Sequence, residues 1–380
     1  MSKVFILHPS SLRQAQGRLF ILAFLILHPF GEPRAGPSCF NLAFSAPYAS
    51  VERGYQLTFP ADEGSHPEFR TEWWYATGWL ASASGKPFGF QVTFFRTRLF
   101  EENANPSAFA PRQILFAHAA IADERAAKLV HDEIAAREGF GLAGAKEGEM
   151  NVWIKDWHFR DAGDYYSARV HADEFALDLR LTPTQAPLLQ GDEGFSRKGT
   201  SVESASHYYS LPQLAVSGSV TVDGKIEAVM GKAWLDHEWS STLLEDEAVG
   251  WDWIGINLAD GAALMAFQIR DKKGGKHWAG GSYRSAQGSV GTFGPDEISF
   301  TPLKMWQSPR TGTTYPIEWR VRAGEVELMI SPLMEDQELN ARTSTGTLYW
   351  EGAVRAYRKG ELIGKGYLEL TGYNKPLRLD

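Results

Sequence analysis

The chain has 380 residues, with 38 Lys and Arg against 46 Asp and Glu, 13 Trp and a single Cys. At 43% hydrophobic and 22% charged it is a folded globular chain long enough for two domains, and its 13% aromatic content is high. A net charge of −8 with no dense Lys/Arg run argues against a nucleic-acid partner, and Cys39 alone rules out an internal disulfide framework or a Cys-rich metal site.

Leu19 to Leu27 form an uninterrupted apolar run of nine residues, preceded by Lys3, Arg13 and Arg18 with no acid, which is the pattern of an export signal. Nine residues are too few to span a bilayer. A small-residue cleavage site is available at Ala43-Phe44-Ser45, and Gly36-Pro37-Ser38 before Cys39 lacks the leucine expected of a lipoprotein. Residues 1–45 are therefore expected to direct export to the periplasm or the medium. Their removal leaves 34 basic and 45 acidic residues, a net charge of −11.

From Tyr55 onward the dominant signal is period two, the mark of half-buried antiparallel strands. The Ala-rich stretch from Ala119 to Glu138 is the exception, and its composition predicts one helix. Phe175, Leu177, Leu179 and Leu181 alternate with Ala176, Asp178, Arg180 and Thr182. Val222-Asp223-Gly224-Lys225 and Asp260-Gly261 read as hairpin turns. Tyr315, Ile317, Trp319 and Val321 repeat the alternation against Pro316, Glu318, Arg320 and Arg322. An internal repeat also shows: Trp73-Trp74 and Trp251-Asp252-Trp253 are each followed by a leucine, a glycine turn and a Phe-Gln pair, Phe90-Gln91 or Phe267-Gln268. The offset of 177 residues between these pairs predicts two similar β domains, 46–240 and 241–380. Many short strands with Gly-rich turns imply an all-β sandwich or barrel architecture.

Three clusters mix ionisable groups with indole rings: His66 to Tyr75, Trp234 to Trp239, and Trp251 to Trp253. On a strand, Trp234, Asp236 and Glu238 share one face while Leu235, His237 and Trp239 share the other, and Trp251 and Trp253 lie opposite Asp252. A carboxylate against aromatic surface is disfavoured as the anion, so its pKa rises and it can act as a general acid. The plainer alternative pairs these acids with buried Arg or indole N–H groups, with Arg70 and Arg96 as partners, and makes His237 a hydrogen-bonded structural residue. No Gly-x-Ser-x-Gly elbow, His-x-x-x-His spacing or P-loop occurs, and no Gly-x-Gly-x-x-Gly precedes a helix, so no metal or nucleotide cofactor is expected.

The strings His66-Pro-Glu-Phe-Arg-Thr-Glu-Trp-Trp-Tyr75, Trp234-Leu-Asp-His-Glu-Trp239 and Gly250-Trp-Asp-Trp253 resemble the AttH and carotenoid 1,2-hydratase family, over residues 53 to 378. The resemblance implies two lipocalin-like antiparallel β-barrel domains in tandem, a fold able to enclose a lipophilic ligand. It also implies water addition to an isolated double bond of a polyene, with no cofactor. With Ile254-Gly255-Ile256 after the Trp-Asp-Trp, and His237-Glu238 in place of the polar pair of the dedicated hydratases, the chain looks like the exported AttH-type branch. On this reading Asp236 or Asp252 protonates the alkene, Trp74, Trp251 or Trp253 faces the resulting cation, and the remaining carboxylate, Glu238 included, orients water with His237. Arg70, Glu72, Trp73, Tyr75, Trp234 and Trp239 complete the expected ligand site. The rival reading is a noncatalytic carrier of a hydrophobic molecule that works with a membrane transport system. Isomerisation or cyclisation of a polyene and plain hydrolysis are weaker alternatives.

Overall fold

A computed structural model of the protein describes residues 48–99, 107 and 110–377. The export segment, its cleavage site and Cys39 lie outside the described residues. Among the described residues every long element is a strand. The first sheet opens with β1 (Thr71–Ser82), β2 (Pro87–Arg98), β3 (Gln113–Ala122) and β4 (Leu129–Arg137). Short strands follow: β5 (Ala143–Ala145), β6 (Asn151–Ile154), β7 (Trp157–Asp161), β8 (Tyr166–His171), β9 (Phe175–Thr182), β10 (Leu188–Leu189) and β11 (Phe195–Arg197). Two long strands, β12 (Ala205–Val222) and β13 (Lys225–Ser240), end it. The second sheet comprises β14 (Ala248–Leu258), β15 (Ala263–Asp271), β16 (Lys276–Arg284), β17 (Val290–Phe293) and β18 (Ile298–Gln307). It continues with β19 (Thr314–Ala323), β20 (Val326–Pro332), β21 (Glu338–Ala341), β22 (Thr347–Arg358) and β23 (Glu361–Leu370).

Both sheets are antiparallel and curl into lipocalin-like barrels, in the orders β4-β3-β2-β1-β13-β12-β9-β8-β7-β6-β5 and β17-β16-β15-β14-β23-β22-β20-β19-β18. The alternation read from sequence appears in β9, where Phe175, Leu177, Leu179 and Leu181 are buried, and in β19, where Tyr315, Ile317, Trp319 and Val321 are. Asp223 and Gly224, at φ 53° and 71°, make the tight turn between β12 and β13, a left-handed geometry that Asp-Gly supplies at little cost. The repeated strand–turn–strand units are real hairpins, but Phe90 stands opposite Gly78 whereas Phe267 stands opposite Trp253.

The helix expected over Ala119–Glu138 is absent. These residues form the end of β3, a 3-10 turn at Glu124–Ala126 and β4. Leu115, Ala117, Ala119 and Ile121 point into the first barrel, while Ala120 and Ala122 point into the contact with the second. With both faces covered no polar alternation marks the strand, and alanine fits between two packed surfaces regardless of its helix propensity. Asp123 ends β3 by accepting the Arg125 N–H and pairing with Lys86 at 2.6 Å.

Side chains fill each barrel interior: Trp74, Phe90, Phe94, Leu179 and Leu235 in the first, Ile254, Ile256, Tyr315, Trp319 and Leu368 in the second. A third cluster forms where the outer faces of the two sheets meet, with Tyr75, Trp79, Trp234, Trp253, Phe267 and Tyr349 at its centre. A bulge in β12 between Leu211 and Leu214 helps to lock this contact. It turns Gln213, at φ 59°, toward the second barrel, where its amide donates to the carbonyls of Leu258 (2.9 Å) and Ala262 (2.8 Å). Trp79 Nε1 donates to the Gly366 carbonyl at 3.0 Å, and Asn257 Nδ2 to that of Ala233 at 3.0 Å.

Candidate functional site

A cavity of about 300 Å³ lies between the barrels, inside neither of them. Its walls are Trp73 and Tyr75 of β1, Phe95 of β2, Trp251 and Trp253 of β14, and Phe267 of β15. Gly255 makes room for this packing, since a Cβ there would meet the Trp253 ring at 2.5 Å and the Trp234 ring at 3.0 Å. The two indoles cross edge to face at 6.3 Å.

Four carboxylates line the cavity: Asp236 and Glu238 of β13, Glu351 of β22 and Glu369 of β23. Asp236 is buried and accepts from Tyr208 Oη (2.8 Å), Trp234 Nε1 (2.7 Å) and the Ser210 hydroxyl. Burial outweighs those three donors and pushes it up to about 7. Glu351 and Glu369 are directly opposed on neighbouring strands, a register that places their Cβ atoms roughly 5 Å apart. Burial and the charge of its partner raise Glu351 well above the carboxylate range, and Glu369 rises to about 8, burial again leading. Of the cations lining the cavity, Lys198 pairs with Glu238 at 2.8 Å and rests over the rings of Tyr208 and Phe267, while Arg70 borders the cavity at the start of β1. Four acids against this sparse positive charge cannot all ionise near neutral pH, so the cavity stores protons.

The other face of β1 and β13 carries a different assembly. Glu72 is fully buried and accepts from Arg96 Nε (2.8 Å), His237 Nε2 (2.9 Å), His66 Nδ1 (2.7 Å) and the His66 backbone N–H. Asp62 takes the other ring nitrogen of His66 at 3.1 Å. Trp239 stacks on His66 at 3.7 Å and Trp74 on His237 at 4.8 Å. Burial would raise Glu72, but the Arg96 charge and the histidine bonds hold it well below the usual carboxylate range. Burial likewise opposes the charged form of His66, yet its bonds to Asp62 and Glu72 raise it to about 9. The ligand atoms of His66, Glu72 and His237 lie within 4.8 Å of one another, a metal-like spacing. Glu72, however, is already satisfied by Arg96 and both histidines, so these residues form a closed ion network and do not fit a cation.

Of the residues expected from sequence, Asp236, Glu238, Arg70, Trp73, Tyr75, Trp251 and Trp253 line the cavity, and Trp234 supports it by donating to Asp236. Glu72, Trp74, His237 and Trp239 do not reach it, because strand alternation turns them into the first barrel. Asp252 is turned away in the same manner. It faces the second barrel, paired with Arg270 at 3.2 Å and accepting from Gln268 and Tyr373, each at 2.8 Å. Arg96, expected as a buried partner of an acid, fills that role for Glu72.

A family model described as AttH-like matches residues 50–373. A crystal structure of a candidate AttH from Nitrosomonas europaea is 49% identical, with a TM-score of 0.81 over 86% of this chain and 99% of that one. The chain belongs to the AttH-like family. Kievitone hydratase from Nectria haematococca is 14% identical, with a TM-score of 0.65 over 86% of this chain and 96% of its own. CghA, solved with Sch210972, is 12% identical, with a TM-score of 0.53 over 86% and 95% of the two chains. These two share the fold. A search of curated proteins gave no significant match.

Glu351 and Glu369 escaped the sequence reading of this AttH-like chain. The signal for Glu351 was present in Tyr349-Trp350-Glu351, an acid beside aromatics as at Glu72-Trp73. Glu369 sits in a plain Leu-Glu-Leu strand and becomes visible only through its register opposite Glu351 and beside Trp253.

Proposed function

We propose that this AttH-like protein binds a lipophilic unsaturated molecule between its barrels and catalyses cofactor-independent, acid-driven addition of water across an isolated C=C bond. The observation that carries this reading is the proton-holding set Asp236, Glu351 and Glu369 inside an aromatic-walled cavity. The fold shared with kievitone hydratase also supports hydration. At about 300 Å³ the cavity lies at the small end of the roughly 300–1,000 Å³ usual for ligand sites, so it suits a small terpenoid or one end of a longer polyene.

The carboxyl proton shared by Glu351 and Glu369 passes to the less substituted alkene carbon, leaving a tertiary cation at its neighbour. Trp251 and Trp253 face that cation, and an indole face contributes about 2 kcal/mol or more once desolvated. Water attacks the cation and its proton goes to Asp236, whose pKa near 7 suits an acceptor that must also release it. Return of that proton to the glutamate pair leaves one molecule of water added. Export to the periplasm or medium belongs to the same reading.

The purified protein, incubated with acyclic terpenoid and carotenoid alkenes in micelles containing ¹⁸O-labelled water, should yield product carrying one labelled water by mass spectrometry. Glu369→Gln and Glu351→Gln should each lower that rate by about 10²–10⁴-fold. Ligand recovered bound but unchanged favours the carrier, and a product of unaltered mass favours isomerisation or cyclisation.

A further inference from the structure

A lipophilic occupant cuts an aromatic-walled cavity off from bulk water, leaving only water held at the acids, and the buried glutamate pair then needs another route to solvent protons. A chain of four side chains supplies one. Glu133 of β4 is half-buried at the protein surface and accepts the backbone N–H groups of Thr343 (3.1 Å) and Ser344 (2.9 Å) together with the Ser344 hydroxyl. Because Ser344 commits its proton to Glu133, His118 Nε2, 2.8 Å from Ser344 Oγ, must be the donor to that oxygen. His118 is buried on β3, and burial pushes it down to about 4, so the ring is neutral and its Nδ1 is bare. That nitrogen accepts the Tyr349 hydroxyl at 2.7 Å. The tautomer is thus fixed by the network, and every O–H and N–H in the chain points from the cavity toward Glu133.

The inner end opens onto the acids. His118, Ser344 and Tyr349 all line the cavity, and Tyr349 precedes Glu351 by two residues on β22, which puts both on one face of the strand. The chain crosses between the barrels three times, since His118 and Glu133 belong to the first and Tyr349 and Ser344 to the second. It is complete only when the barrels are docked.

We propose that Tyr349, His118, Ser344 and Glu133 form a proton wire that exchanges protons between the Glu351–Glu369 pair and solvent while the cavity is occupied. In the outward direction the Tyr349 proton moves to His118 Nδ1, the Nε2 proton to Ser344 Oγ, and the Ser344 proton to Glu133. Tyr349 then regains a proton from the glutamate pair through a cavity water. The reverse sequence recharges the pair before product leaves. The wire rests on the acid-store reading above, but it can fail separately.

The test uses the full-length protein in a rapid transfer from H₂O to D₂O, with the saturated branched hydrocarbon farnesane present as an unreactive occupant. Infrared spectroscopy follows the carbonyl stretch of protonated carboxyl groups, assigned by its loss in Glu351→Gln and Glu369→Gln. His118→Phe and Glu133→Gln should slow deuteration of this band about tenfold or more, and free imidazole should restore the rate in His118→Ala but not in His118→Phe. Tyr349→Phe, which keeps the ring and removes the inner hydroxyl, gives the same answer if the histidine variants do not fold. Wild-type exchange rates in the folded variants would overturn the wire and leave the acid store standing. Absence of the band from the wild type would overturn both.

Discussion

The two faces of β1 and β13 carry acids in opposite circumstances. On the inner face Glu72 and Asp62 meet Arg96 and a protonated His66, so two negative charges are matched by two positive ones in a shell of indole rings. On the outer face Asp236 and Glu238, joined by Glu351 and Glu369, meet an ammonium that is already bonded to Glu238. Glu72 and Asp62 are therefore ionised structural anchors on one side of this strand pair, and Asp236, Glu351 and Glu369 are proton carriers on the other. What separates them is charge compensation, since burial is common to both.

The largest expected effect breaks the compensated side. Arg96 is fully buried and also donates to the carbonyls of His66 (2.8 Å) and Phe69 (3.1 Å), so it ties the chain before β1 to the barrel. Arg96→Met leaves Glu72 buried without its main counter-charge and should cost about 3–5 kcal/mol in urea unfolding. Glu351→Gln removes one of two opposed acids and should leave stability equal or higher at pH 8. Equal losses in both variants would erase the distinction between the faces.

A smaller effect separates the faces by pH. Glu369 binds its proton more tightly folded, at about 8, than unfolded, near 4.5, and Asp236 behaves likewise between about 7 and 3.8. Across that window the native state holds more protons than the unfolded chain, so these groups make stability fall as pH rises. His66 is also raised, from 6.5 to about 9; its contribution is full below 6.5 and is lost as pH climbs to 9. Asp62 is depressed from 3.8 to about 2, because its bonds to His66, the Thr58 N–H and Tyr55 overcome burial, and its contribution is lost as pH falls through that range. Glu369→Gln should therefore flatten the decline between pH 4.5 and 8, and His66→Gln the decline between 6.5 and 9. Urea midpoints measured at intervals of pH check both, and a slope unchanged in Glu369→Gln would show that this carboxyl is not a proton store.

The barrels were legible in the sequence wherever one face of a strand meets solvent, as in β9 and β19. Legibility failed where both faces are covered. The outer faces of β1, β3 and β14 pack against the partner barrel, so Trp73-Trp74-Tyr75 and the alanines of β3 carry no polar alternation, and a helix was read into the latter. Period two did separate Asp236 from His237. Which of the two faces meets the cavity could not be read, because it depends on how the barrels dock, through contacts such as those of Gln213 that join residues distant in sequence.

The same rule applied to β14 gives the smallest effect and the sharpest check on where the chemistry lies. Trp251 and Trp253 wall the cavity, while Asp252 between them faces the second barrel among Gln268, Arg270 and Tyr373. Burial raises Asp252 despite the Arg270 charge, so by its proton affinity alone it resembles the cavity acids. Position distinguishes it: a side chain on the wrong face of a strand cannot reach an alkene held by the rings on either side of it. Asp252→Asn keeps the shape but takes the carboxylate from Arg270, and should cost about 1–3 kcal/mol in unfolding while leaving hydration unchanged. Asp236→Asn, two residues from Trp234 and so on the same face as its tryptophan, beside the cavity, should lose hydration and keep its fold. If Asp252→Asn instead abolished turnover in a folded protein, the reacting bond would have to lie within the second barrel, and the cavity between the barrels would lose its claim to the chemistry.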